Sequence, residues 1–249
     1  AHASRPGSAS WTSRVCGRFP MLALLRAGAQ YTAVTTPDRG KRMLEAAVLF
    51  AVVALVYARA LPGPFVFDDR SAIVENASLR SLWPLGPVLA QPPDLTTSGR
   101  PVVALSFALD QALGGLDPRV FRATSLAIHA LCACLLAALL RRTLRAPRLA
   151  ERFAAHADAL AFAVALLFAV HPLASEVACY ASARTESLVA AFYLATLYAA
   201  VRARTSERPW GWVALAVTCS ALGMASKEVM VSAPIVVAHR GDSGEYPEN

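Results

Sequence analysis

Leu44 to Leu61 is one apolar run of about the length a helix needs to cross a bilayer. A chain that must satisfy its backbone polar groups inside lipid can do so there only as a helix or a closed barrel. The same pattern returns downstream. Val120–Leu140, Ala159–Val170, Glu186–Val201, Trp210–Ala225 and Val229–Ala238 all read as apolar helices. Hydrophobic residues make up 56% of the 249, charged residues 16%, and mean hydropathy is +0.44. These values exclude an ordinary soluble domain. The fold expected is an all-α polytopic membrane protein with about five or six transmembrane helices.

The charges mark the sides of the membrane. Basic residues fall in 39–42, 141–152 and 202–208, which predicts that these segments and the N-terminus are cytoplasmic. The net charge of +7 comes with little aromatic interleaving, so it reads as a topology signal and not as a nucleic-acid surface. The opposite side receives the non-spanning segment 62–118, the turn 171–186 and Lys227-Glu228. Within 62–118, Pro101 opens an amphipathic helix too short and polar to span, with Val102, Leu105, Leu109 and Leu113 as its apolar stripe. Residues 1–42 resemble a transit peptide or lie upstream of a true start at Met43, and are expected to be poorly packed. Residues 241–249 read as a tail cut short. The five cysteines form no disulfide framework and read as small core residues.

Chemistry has three candidate places. Asp68 and Asp69 stand where the first helix leaves the membrane. Adjacent carboxylates there can take a proton or hold a divalent metal, although a solvated helix flank also explains them. The 171–186 connection is rich in ionisable groups for a segment between apolar runs: His171, Glu176, Arg184 and Glu186. Arg184 can clamp a phosphate or pair with Glu176 or Glu186, and His171 can simply cap a helix. Lys227 and Glu228 form the third place, where the lysine can neutralise a phosphate, pair with a carboxylate or only snorkel. His129, among apolar neighbours, reads as a buried hydrogen-bonded residue. Asn76-Ala77-Ser78 matches the N-glycosylation pattern.

Several short stretches then form a series. Phe65-Val66-Phe67-Asp68-Asp69-Arg70, Gly99-Arg100-Pro101, Ala112-Leu113-Gly114-Gly115-Leu116-Asp117, His171-Pro172 with Glu176, Arg184-Thr185-Glu186-Ser187-Leu188 and Gly223-Met224-Ala225-Ser226-Lys227-Glu228-Val229 follow one another in order. The series resembles the membrane half of the transmembrane-and-tetratricopeptide-repeat O-mannosyltransferases of the GT-C class, over roughly 44–240. That resemblance implies a GT-C-like bundle in 43–240 and a polyprenyl-phosphate-linked sugar, mannose for this family, as donor. It implies a protein acceptor and catalytic carboxylates at Asp68 and Asp69 in the first non-cytoplasmic loop. Arg184 and Lys227 would hold the donor phosphate. His171, Glu176, Glu186 and Glu228 would support them. Metal dependence stays open. Two other classes fit the composition: a transporter, and an inactive membrane platform for a downstream repeat domain.

Overall fold

The computed structural model describes the backbone of residues 39–242 and the side chains of 39–237. The expectations for 1–38 and 243–249 lie outside the described residues. Seven longer helices carry the fold: α1 Arg39–Tyr57, α2 Pro101–Gly114, α3 Pro118–Leu144, α4 Ala157–Ala169, α5 Arg184–Thr205, α6 Pro209–Met224 and α7 Ser232–Asp242. Short helical turns fill the connections, and no strand occurs among the described residues. Helix starts follow the sequence. Pro118 and Pro209 sit in first turns, where the missing N–H costs nothing, and Asp117 accepts from Arg119 N to cap α3.

Three helical segments are long and apolar enough to cross a membrane: Arg39–Ala60, Pro118–Leu144 and Pro147–Ala169. Beside these three, the described residues hold the shorter apolar helices Pro101–Gly114, Pro209–Met224 and Glu228–Val237, as a polytopic all-α bundle requires. Helix α5 has 22 residues but carries Arg184, Glu186, Arg202 and Arg204, and α6 has only 16.

Packing runs small-side-in. The buried residues of α4 are Ala157, Ala161, Ala165 and Ala169, one every four, while Leu160, Val164 and Leu167 point outward. Helix α3 meets them with Leu126, Ala130, Ala133 and Ala137, and α1 adds Leu49, Val53 and Tyr57. Lipid tails are as apolar as leucine, so bulky residues gain nothing by turning inward, and small residues let backbones approach. His129 lies in this seam with Nε2 3.1 Å from the carbonyl of Ala169, as its apolar neighbours suggested.

The two ends of the bundle differ. At one end Arg141 of α3 pairs with Glu45 of α1 and with Asp158 of α4 (3.4 Å), and Arg145 pairs with Asp158 at 2.7 Å. Arg202 of α5 stacks on Trp212 of α6, 4.5 Å from the ring centroid. The basic segments thus gather at this end. The other end holds segment 62–100, helix α2 and the turns before α5 and α7.

Helix α2 divides its apolar residues between two faces. Its buried face is Val103, Ala104, Phe107, Ala108 and Asp110, packed on Ile73, Leu79, Val88 and Phe121. Of the stripe read from the sequence, Leu105 packs against this core, whereas Leu109 and Leu113 face away, Leu113 at 81% exposure. An apolar stripe marks the core only where the surroundings are water.

Candidate active site at the loop end of the bundle

Two staples shape this end. Arg122, one turn into α3 and buried, donates from Nη1 to the carbonyls of Leu61 (3.2 Å) and Gly63, and from Nη2 to those of Pro64 and Cys179 (3.2 Å). It therefore fixes the exit of α1 against the turn that precedes α5. Asp69 is the second staple. Its Oδ1 accepts from Ser182 N and Ser182 Oγ, both at 2.8 Å, and its Oδ2 from Ala181 N and Val66 N, both at 3.3 Å. Asp69 is 0% exposed. Four donors on two oxygens fix the carboxylate, and with it the loop, against the turn before α5.

Asp68, its neighbour, is exposed. Its Oδ2 accepts from the Tyr180 hydroxyl at 2.8 Å, and its Oδ1 accepts no hydrogen bond among the described residues. Burial and the bond to Asp68 push the Tyr180 hydroxyl up to about 12, so it stays a donor at neutral pH. Phe67, edge-on to the Tyr180 ring at 6.1 Å, has φ +49°. That is the left-handed region an aromatic residue seldom enters, and here it turns the chain between Val66 and the two aspartates.

A cavity of about 250 Å³ opens beside Asp68. Glu176, Tyr180, Ser182 and Glu186 line it from the 171–186 connection and α5, and Thr96, Thr97 and Arg100 from the opposite loop. Carboxylates, hydroxyls and one guanidinium suit a polyhydroxylated ligand carrying a negative charge.

Arg184 lies at the first residue of α5, inside the protein at 0% exposure. Nη1 pairs with Asp110 Oδ2 at 2.6 Å, Nε donates to Ser125 Oγ at 3.2 Å, and Nη2 to the carbonyl of Phe121. The guanidinium also stacks 4.7 Å from the Phe107 ring centroid. Asp110 in turn accepts from Thr124 Oγ1 at 2.7 Å. Arg184 thus joins α2, α3 and α5, and its partner is Asp110 rather than Glu176 or Glu186.

Lys227 pairs with Glu186, tying the turn before α7 to α5. His171 Nδ1 accepts from Leu173 N at 3.3 Å and so caps the short turn Pro172–Ala174. Glu228 is exposed in the first turn of Glu228–Val231 and does not line the cavity. Of the eight site residues expected from the sequence, Asp68, Glu176 and Glu186 share the cavity wall. Among the described residues no group of three His, Cys, Asp or Glu is placed to hold a metal ion.

Asn76 is 3% exposed, with Nδ2 donating to the carbonyl of Ala72 (3.1 Å) and to Gln91 Oε1 (2.6 Å). It is a buried loop anchor, so the glycosylation pattern does not describe an accessible amide. The four described cysteines are free thiols.

Sequence reasoning passed over Arg100, Asp110, Arg122 and Tyr180 as site residues. For Asp110 and Arg122 a signal existed, because each is an ionisable group within an apolar helix.

No family model matches the chain, and no solved structure does. Curated relatives do. Mouse protein O-mannosyl-transferase TMTC1 is 35% identical over 60% of this chain and 16% of its own length. Human TMTC4 is 30% identical over 73% of this chain and 27% of its own length. Drosophila melanogaster Tmtc2 is 31% identical over 77% and 21%. The chain is therefore a relative of the TMTC protein O-mannosyl-transferases, matched over a segment that makes up 16–27% of the length of those three proteins.

Proposed function

We propose that this chain is the part of a membrane glycosyltransferase that binds a lipid-linked sugar and activates an acceptor hydroxyl. The reading rests on one observation: Asp68, with one carboxylate oxygen free, borders a polar cavity at the loop end of a chain related to protein O-mannosyl-transferases. The donor is a polyprenyl-phosphate-linked mannose, the acceptor a protein hydroxyl, and the class GT-C. The cavity faces the non-cytoplasmic side, because the basic ends gather at the other end of the bundle.

Transfer inverts the sugar carbon. Asp68 takes the proton as the acceptor oxygen bonds to C1. The C1–O bond to the phosphate breaks, and its electron pair leaves with the lipid phosphate. Tyr180 holds Asp68 Oδ2 and leaves Oδ1 to act as base. Asp69 positions the loop. Glu176 and Glu186 are placed to accept from sugar hydroxyls. Arg184 and Lys227 act through the walls they brace rather than through the phosphate.

The test is incorporation of labelled mannose from polyprenyl-phosphate mannose into protein by the full-length enzyme in membranes. Asp68→Asn is expected to abolish it. Undiminished transfer by that variant overturns this assignment, and absence of any transfer by the wild type overturns the glycosyltransferase reading.

A further inference from the structure

We propose that Arg100 is the residue in this cavity that binds the phosphate of the lipid-linked donor, an assignment that rests on the reading above. The cavity needs a cation for an anionic ligand, since Asp68, Glu176 and Glu186 all border it. Among the described residues Arg100 is the one basic residue on its wall. Other cations the sequence offered or the fold brings near are engaged: Arg184 is enclosed with Asp110, Lys227 is bound to Glu186, and Arg122 is taken up by loop carbonyls.

Arg100 makes no ion pair among the described residues, and its one side-chain hydrogen bond runs from Nη1 to the carbonyl of Thr96 at 3.1 Å. Its Nε and Nη2 donors stay available. An arginine presents those donors as a planar fork that matches two phosphate oxygens.

The backbone under it is built rather than loose. Arg100 N donates to the carbonyl of Thr97 at 3.0 Å. Thr97 Oγ1 donates to Gln91 Oε1 at 3.2 Å, and the same oxygen accepts from the buried Asn76. Gln91 Nε2 is held by the carbonyls of Pro87 and Val88. Gly99, at φ +70°, supplies the turn, and Pro101 starts α2 immediately after. The positive end of the α2 dipole therefore lies beside the guanidinium and adds to its attraction for an anion. This gives the Gly99-Arg100-Pro101 stretch a role beyond opening a helix.

The experiment measures binding directly, with no transfer required. Full-length protein in detergent is titrated with a short water-soluble polyprenyl phosphate and with the corresponding alcohol. Arg100→Gln is expected to weaken binding of the phosphate by about 10- to 100-fold, the size of a lost charge-assisted contact, and to leave binding of the alcohol unchanged. Arg100→Lys, which keeps the charge without the fork, is expected to lose less. If Arg100→Gln does not fold, judged by its thermal melt, Arg100→Lys decides: affinity equal to wild type overturns the proposal. Unchanged affinity in folded Arg100→Gln also overturns it. Inorganic phosphate or phosphatidylglycerol vesicles competing as strongly as the polyprenyl phosphate would assign the site to free phosphate or to ordinary headgroups, and overturn the donor assignment. Arg100-dependent binding without sugar transfer would keep the anion site and remove the transferase reading.

Discussion

Asp69→Asn and Asp68→Asn are neighbouring, isosteric changes with opposite expected signatures. Asp69 uses both oxygens as acceptors for four donors. In the asparagine one oxygen becomes an NH2 group. If that group replaces Oδ2, the N–H groups of Ala181 and Val66 lose their acceptor and face another donor. A buried donor left unpaired costs about 1–3 kcal/mol. Both bonds are long at 3.3 Å, which favours the lower half of that range and gives about 2–4 kcal/mol for the pair. Replacing Oδ1 instead removes the acceptor of the 2.8 Å bond from Ser182 N, a similar loss. Asp68 is exposed and accepts a single side-chain hydrogen bond, from Tyr180. Asparagine can keep that bond, so Asp68→Asn should fold like the wild type and lose only transfer. The assay is thermal melting of both full-length variants in one detergent, run beside mannose incorporation. Asp69→Asn should melt several degrees lower and lose transfer through disorder of the 66–69 loop. The reasoning is refuted if Asp69→Asn melts with the wild type while Asp68→Asn melts well below it.

Three further outcomes follow from the same geometry. Asp110→Ala strands the enclosed Arg184 cation and should cost about 3–5 kcal/mol, read as a lowered denaturation midpoint, whereas a paired Asp110→Leu, Arg184→Met change should recover much of it. Gly114→Ala places a methyl group against Val120, a side chain with little rotamer freedom, and should cost about 1–3 kcal/mol in the same assay. Tyr180 is neutral in both folded and unfolded chain below its ordinary value of 10.0, so its contribution is complete there and is lost as pH climbs toward about 12. Alkaline titration with tyrosinate absorbance should show this loss of stability, and Tyr180→Phe should remove it.

Much of the architecture was readable in advance because length and hydropathy are strong signals for helices in lipid. The starts of α2, α3 and α6 fall at or beside their prolines. Which helix face turns inward was not readable from apolarity. In α2 both faces carry apolar residues, and the one chosen is the one that brings Asp110 to Arg184. In α4 the informative mark was alanine every fourth position, which a hydropathy average cannot separate from leucine. The Asp68-Asp69 pair was visible as chemistry, but not its division of labour. That division depends on Tyr180 and Ser182, each more than a hundred residues away. Arg184 drew attention to nearby glutamates because sequence offers only near neighbours, while its counter-ion sits on another helix.

The link between Arg141 and Glu45 has a consequence for synthesis. The two residues are 96 positions apart. At ribosomal rates of about 5–20 residues per second, Glu45 is made roughly 5–20 s before the arginine that answers it. During that delay the carboxylate on the newborn first helix has for cations only Lys41 and Arg42, one turn back on the same helix. Asp158, the other acid on Arg141, appears later still. The three-way tie of Glu45, Arg141 and Asp158 is therefore completed only once the third apolar segment has begun to emerge.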